Sequence, residues 1–208
     1  MITTQVSIFA FHAARVILVL LLLLSLCSIA FFIERMLYFN KHFLDKPSIL
    51  PELEAADSLH DTISILDRYN TSETRIILKG LRQNHSSEKS FIKIVTAYFY
   101  IEKENWERYS NFLGSVGSNA PFIGLLGTVL GILKSFADLG TAMSSGPQVV
   151  MAGISEALIV TAVGLAVAIP AVIFFNICKT KIKAGSVRVE SIQNMICSKN
   201  LFSGQKND

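Results

Sequence analysis

The chain has 208 residues, 51% of them hydrophobic and only 17% charged, with a formal net charge of +3; a typical soluble domain carries about 25% charged residues. Together with a mean hydropathy of +0.46, this composition excludes a secreted domain and a disordered chain. No dense basic cluster interleaved with aromatics supports a nucleic-acid binder.

The charge is also unevenly placed. From Gly114 to Cys178 only Lys134, Asp138 and Glu156 are charged. A stretch that poor in polar groups cannot cover itself in water, so the chain reads as an integral membrane protein with a substantial aqueous part. Cys27, Cys178 and Cys197 are far apart, and His12, His42, His60 and His85 lack ligand spacing. No disulfide framework, metal site or cofactor is therefore expected.

Residues 1–15 form a short flank ending in Arg15. The run from Val16 to Ile33 carries no charge; as a helix it is about 27 Å long, close to the roughly 30 Å hydrocarbon core. Its apolar core is too long for a usual signal peptide, so 16–33 is taken as transmembrane helix 1. Residues 34–115 read as a cytoplasmic helical domain, near neutral in charge. Pro51 suits a first helical turn, with Glu52 and Glu54 near the positive end of the dipole. Ser72 is placed as the cap of a helix over Glu73 to Gln83, with Gly80 near its end. Asn84 to Ser87 reads as a turn. A helix then starts near Glu88, its apolar face carried by Phe91, Ile94, Val95, Tyr98 and Ile101. No helix breaker precedes Gly114, which predicts one rod running on into the second span. Transmembrane helix 2 is expected over 116–137, a short outer loop over 138–148, transmembrane helix 3 over 149–178, and a helical tail over 179–208.

Lys and Arg number one in residues 1–15, ten in 40–112 and six from Lys179 onward. The positive-inside rule then puts the N-terminus and the 138–148 loop outside, and 40–112 and the C-terminus inside.

Nine of the twelve glycines fall between Gly114 and Gly164. In the second span Gly124, Gly127, Thr128 and Gly131 share a stripe; in the third, Gly153, Ala157, Thr161, Gly164 and Ala168 do. Such stripes let helices approach closely in lipid. Packing alone would explain them, but Glu156 adds a carboxylate early in the third span. An intramembrane charge costs roughly 2.5–3.5 kcal/mol on insertion scales, which leaves two readings for Glu156: a residue lining an ion or proton path, or an outer-leaflet side chain snorkelling to the surface. Thr128 and Thr161 supply hydroxyls that both donate and accept; they can pass a proton or hold a water, or equally bond back to the carbonyl four residues earlier and do nothing else. Pro170 removes the donor for the Ala166 carbonyl and is expected to bend its helix. Lys134 reads as an interfacial anchor, with Asp138 four residues on as its partner.

Two motifs carry a resemblance: Ser118 to Ile132, SNAPFIGLLGTVLGI, and Gly153 to Ala171, GISEALIVTAVGLAVAIPA. In that order, with a short loop between them, they resemble the ExbB/TolQ branch of the MotA/TolQ/ExbB proton-channel family, the second-span wording leaning to ExbB. A flagellar MotA-like stator would have four spans. The resemblance implies an all-α, ring-forming membrane protein, with helices extending into a cytoplasmic helical domain. It implies a pentamer in the inner membrane around two ExbD- or TolR-like single-span subunits, which carry the titrating aspartate. Proton flow would drive work passed to a TonB- or TolA-like protein. Thr128 and Thr161 resemble the family's pore threonines and Glu156 its third-span glutamate. Lys134 departs from the family pattern. No nucleophile–base pair or phosphate loop supports an enzyme. The competing reading is a scaffold that assembles partner helices, with Glu156 as interhelical glue.

Overall fold

The computed structural model describes residues 2–44, 49–83, 87–141 and 147–199. All elements among them are α-helices: α1 (Ile2–His42), α2 (Ile49–Ala55), α3 (Leu59–Tyr69), α4 (Ser72–Arg82), α5 (Glu88–Glu107), α6 (Ser110–Thr141) and α7 (Pro147–Ser198). Three helical stretches are long and apolar enough to cross a membrane, at Arg15–His42, Ser110–Leu139 and Val150–Ser198. Each overlaps one of the apolar runs and extends beyond it. Helix α1 starts at Ile2, well before the first run, and α7 continues past the third into the basic tail. Of the expected turn at 84–87, residues 84–86 lie outside the described residues, as does the 142–146 part of the expected outer loop.

The chain forms two compact units. One comprises 1–33 and 109–176, the membrane unit; the other comprises 34–108 and 177–208. The tail beyond the third span thus joins the segment after the first span in one unit.

The expected rod does not form. Helix α5 ends at Glu107 and α6 starts at Ser110. Between them Arg108 is extended (φ −52°, ψ 134°) and Tyr109 sits in the left-handed region at φ 63°, a cost of about 1 kcal/mol or more for a bulky residue. Packing offsets that cost on each side. Within the membrane unit the Tyr109 ring stacks on Phe31 at 4.6 Å. Within the second unit Trp106 is fully buried and meets Phe43 at 4.8 Å. No glycine or proline marks the break.

In the second unit, α3 is capped by Ser58, whose side chain accepts from Asp61 N, and closes on Asn70 in the left-handed region. Thr71, not Ser72, caps α4. The Thr71 backbone N–H donates to Thr74 Oγ1 (3.0 Å), and Thr74 N–H donates back to Thr71 Oγ1 (3.4 Å), a reciprocal box that Ser72 in the first helical position cannot make. Thr71→Ala should lower stability by about 1 kcal/mol. Ser72→Ala should cost less, its hydroxyl making two long side-chain bonds, donating to Glu102 at 3.5 Å and accepting from Arg75 Nη2 at 3.4 Å. Thermal melts of the full chain followed by Trp106 fluorescence rank the two.

The buried side of α5 is Phe91, Val95 and Trp106. Ile101, expected on that face, is 60% exposed, because a spacing of four drifts round the helix and brings Phe99 and Trp106 inward instead. Gly80 of α4 lies against Phe91 and Val95; a Cβ there would sit 2.5 Å from Val95 Cγ2. The tail of α7 presents Ile182, Val189, Ile192 and Ile196 to this core. Glu73, fully buried, ties the unit together. It pairs with Arg188 Nη2 at 2.9 Å and accepts from the Leu44 backbone N–H at 3.3 Å.

Candidate functional site

In the membrane unit α6 and α7 run antiparallel, and the two small-residue stripes face each other. A Cβ on Gly124 would lie 3.1 Å from Thr161 Cα, one on Gly131 2.6 Å from Ala157 Cβ, and one on Gly164 2.8 Å from the Ala120 carbonyl oxygen. Gly153 abuts Ser135, and Gly127 faces Val160 and, from α1, Ile17. Residue numbers across the seam sum to nearly the same value throughout, so one register holds along its length. Both helices continue through a proline, Pro121 in α6 and Pro170 in α7.

This close approach brings the two threonines together. Thr128, 8% exposed, is hydrogen-bonded to Thr161, hydroxyl to hydroxyl. Thr128 Oγ1 also lies 3.2 Å from the Ala157 carbonyl oxygen and 3.3 Å from that of Gly124. Thr161 Oγ1 lies 3.2 Å from the same Gly124 carbonyl. Two hydroxyls hold two protons and face acceptors at both ends. The chain of bonds therefore has two directions: Thr128 to Thr161 to Gly124, or Thr161 to Thr128 to Ala157. Rotating the hydroxyls exchanges them. Both ends are carbonyls, which only accept, so an excess proton must come from and leave to another group.

Glu156 is nine residues into α7, about 14 Å along the helix, and just over one turn before Thr161. It is exposed on the isolated chain. It lines a cavity of about 220 Å³ with Arg15, Lys134, Ser135, Gly153 and Ala157. Ala157 thus joins the cavity to the threonine pair, lining the one and bonded through its carbonyl to Thr128 in the other. Arg15, counted from sequence only as a flanking charge, reaches this cavity from α1. Lys134 lies 3.8 Å from Asp138, and it also belongs to the Glu156 surroundings. Arg15, Lys134, Asp138 and Glu156 are the only Asp, Glu, Lys or Arg residues of the membrane unit. Their meeting was hidden from sequence because it depends on three helices lying side by side. A run of charges spaced from residue 15 to residue 156 gives no signal of it.

The stretch 68–191, which contains the seam and Glu156, matches the family model described as the MotA/TolQ/ExbB proton channel family. The chain belongs to that family. Similar curated proteins include the Tol-Pal system protein TolQ of Pseudomonas aeruginosa, 51% identical over 75 residues (36% of this chain and 32% of that protein). The biopolymer transport protein ExbB of Pseudomonas putida is 33% identical over 138 residues (62% and 42%). A putative biopolymer transport protein ExbB-like 2 of Helicobacter pylori is 46% identical over 69 residues (33% and 46%). The chain thus matches less than half the length of each of these relatives. Proteins named TolQ and ExbB both match this member of the MotA/TolQ/ExbB family, which places it in the ExbB/TolQ branch.

Proposed function

We propose that the chain is a proton-channel subunit of the bacterial inner membrane, with its N-terminus periplasmic and its C-terminus cytoplasmic. It works in a ring, a pentamer, around a dimer of ExbD- or TolR-like single-span subunits. Proton flow through that assembly supplies mechanical work to a TonB- or TolA-like protein, for outer-membrane transport or envelope maintenance. Between these two, the second-span wording favours the ExbB role.

The observation that carries the reading is the hydroxyl pair Thr128–Thr161, linked through the Ala157 carbonyl to the Glu156 cavity. A hydroxyl pair that can reverse its direction relays a proton once titrating groups stand at both of its ends, and Glu156 stands at the edge of this seam. The pair ends in acceptors only, so the second titrating group comes from a partner, as the single-span subunit would provide. The energetics are adequate: one elementary charge moved across 100 mV is worth about 2.3 kcal/mol.

The test is proton uptake by vesicles containing the chain with its single-span partner. Thr161→Val and Glu156→Ala each remove a polar group worth about 1–2 kcal/mol and should slow uptake roughly tenfold with protein levels unchanged. Both variants retaining proton flux and energy transduction would sink the assignment. Glu156→Gln separates the channel from a scaffold: a scaffold keeps its function with the amide, and a channel loses it.

A further inference from the structure

We propose that Arg15 is a specificity-determining residue of the Glu156 cavity, keeping alkali cations out while protons enter; this rests on the proton-channel reading above. The four charged side chains of the membrane unit sum to zero, two positive and two negative. Three of them, Arg15, Lys134 and Glu156, line the same cavity, and the fourth, Asp138, stands 3.8 Å from Lys134. Arg15 and Glu156 are both exposed on this chain, so the cavity opens to what lies beyond the subunit. Its volume of about 220 Å³ holds several waters, each taking roughly 30 Å³ in the liquid.

A sodium or potassium ion entering this space meets no net attraction, since the two positive and two negative side chains of the unit cancel. It also finds few side-chain oxygens to replace its hydration shell: the Glu156 carboxylate and the Ser135 hydroxyl, beside Gly131, Gly153 and Ala157. Shedding water there is unfavourable. A proton needs neither attraction nor a coordination shell. It is carried by changing the protonation of a carboxylate, a hydroxyl or a water, without an ion lodging between two cations. Removing Arg15 leaves the cavity net negative around Glu156, and that is the condition under which alkali cations enter.

The experiment is parallel sodium and proton uptake by native membrane vesicles carrying the full-length chain together with its single-span partner. Sodium uptake should rise on the order of tenfold in Arg15→Gln, the consequence of losing one positive charge from a water-filled site of reduced dielectric. Arg15→Lys, which keeps the charge, should exclude sodium as the unaltered protein does. The double variant Arg15→Gln/Glu156→Gln is neutral again and should exclude sodium even where it no longer moves protons. Unchanged sodium uptake in Arg15→Gln, or sodium entry through the double variant, overturns the role of Arg15 while leaving the channel reading in place. Absence of proton uptake in the unaltered protein overturns both. If Arg15→Gln fails to accumulate, Lys134→Gln removes a positive charge from the same cavity and carries the same expectation and the same refutation.

Discussion

Replacing Glu73 by alanine is expected to lower the thermal midpoint of the second unit by roughly 10 °C or more, the equivalent of about 3 kcal/mol in a unit of this size. Its side chain is fully buried, and its partner Arg188 is only 26% exposed. The alanine leaves a largely desolvated guanidinium without its carboxylate, and it takes the acceptor from the Leu44 backbone N–H. Each loss alone is of the order of 1–3 kcal/mol. Arg188 keeps some access to water and lies 5.7 Å from the Phe43 ring, which places the effect at the low end of the range for broken buried pairs. Trp106 is the chain's single tryptophan and is fully buried in the same unit. Its fluorescence in the detergent-solubilised full chain therefore reports this unit. A Glu73→Leu/Arg188→Met double variant should recover much of the loss, because an apolar pair of similar volume often replaces a buried ion pair at little cost. A midpoint within two or three degrees of the unaltered protein for Glu73→Ala would show that the pair contributes nothing.

The second large effect concerns Gly164. A Cβ there would lie 2.8 Å from the Ala120 carbonyl oxygen and 3.0 Å from Gly124 Cα. Both neighbours are backbone, so no side-chain rotation relieves the clash and the helices must separate. Gly164→Ala should cost about 1–3 kcal/mol. Gly164→Leu should abolish the seam, and with it proton uptake, because Thr161 is one turn away and its hydroxyl must stay within hydrogen-bond reach of Thr128. Gly127→Ala is the control. Its added carbon meets Val160 Cγ1 at 2.5 Å, the end of a side chain, and a rotamer change absorbs part of the strain. Membrane accumulation and proton uptake should therefore fall in the order Gly127→Ala, Gly164→Ala, Gly164→Leu. Equal behaviour of the two alanine variants would refute the backbone-contact explanation.

What could be read from sequence follows the range over which each signal acts. The three long apolar helices and the small-residue stripes are properties of runs of ten or more residues, and hydropathy and helical spacing expose them directly. The pairing of Thr128 with Thr161 was only a neighbourhood before the antiparallel register was known. The cap of α4 was misplaced by one residue, since Ser outranks Thr as a cap type and only the reciprocal bonds between Thr71 and Thr74 identify Thr71. The break at Tyr109 left no trace, because the residues that hold it, Phe31 and Tyr109 on one side and Phe43 and Trp106 on the other, are chosen by packing and not by backbone propensity. The Glu73–Arg188 bond spans 115 positions, and Arg15 meets Glu156 only through the side-by-side placement of α1 and α7. Charge pairs at such separation leave no periodic mark.

The fixed register of α6 against α7 limits how this protein moves. Backbone-to-backbone contact at Gly124 and Gly164, with Gly131 and Gly153 keyed to Ala157 and Ser135, leaves no smooth surface along which one helix could shear past the other. A slide of one turn in one direction would bring Leu139 over Gly153 and carry Thr128 off Thr161. Shear motions belong to helices that meet through adaptable side chains. In this unit that description fits α1, which touches its neighbours through Ile17, Phe31 and Phe32. Any working stroke is therefore expected to carry α6 and α7 as one rigid blade, with the give taken up along α1.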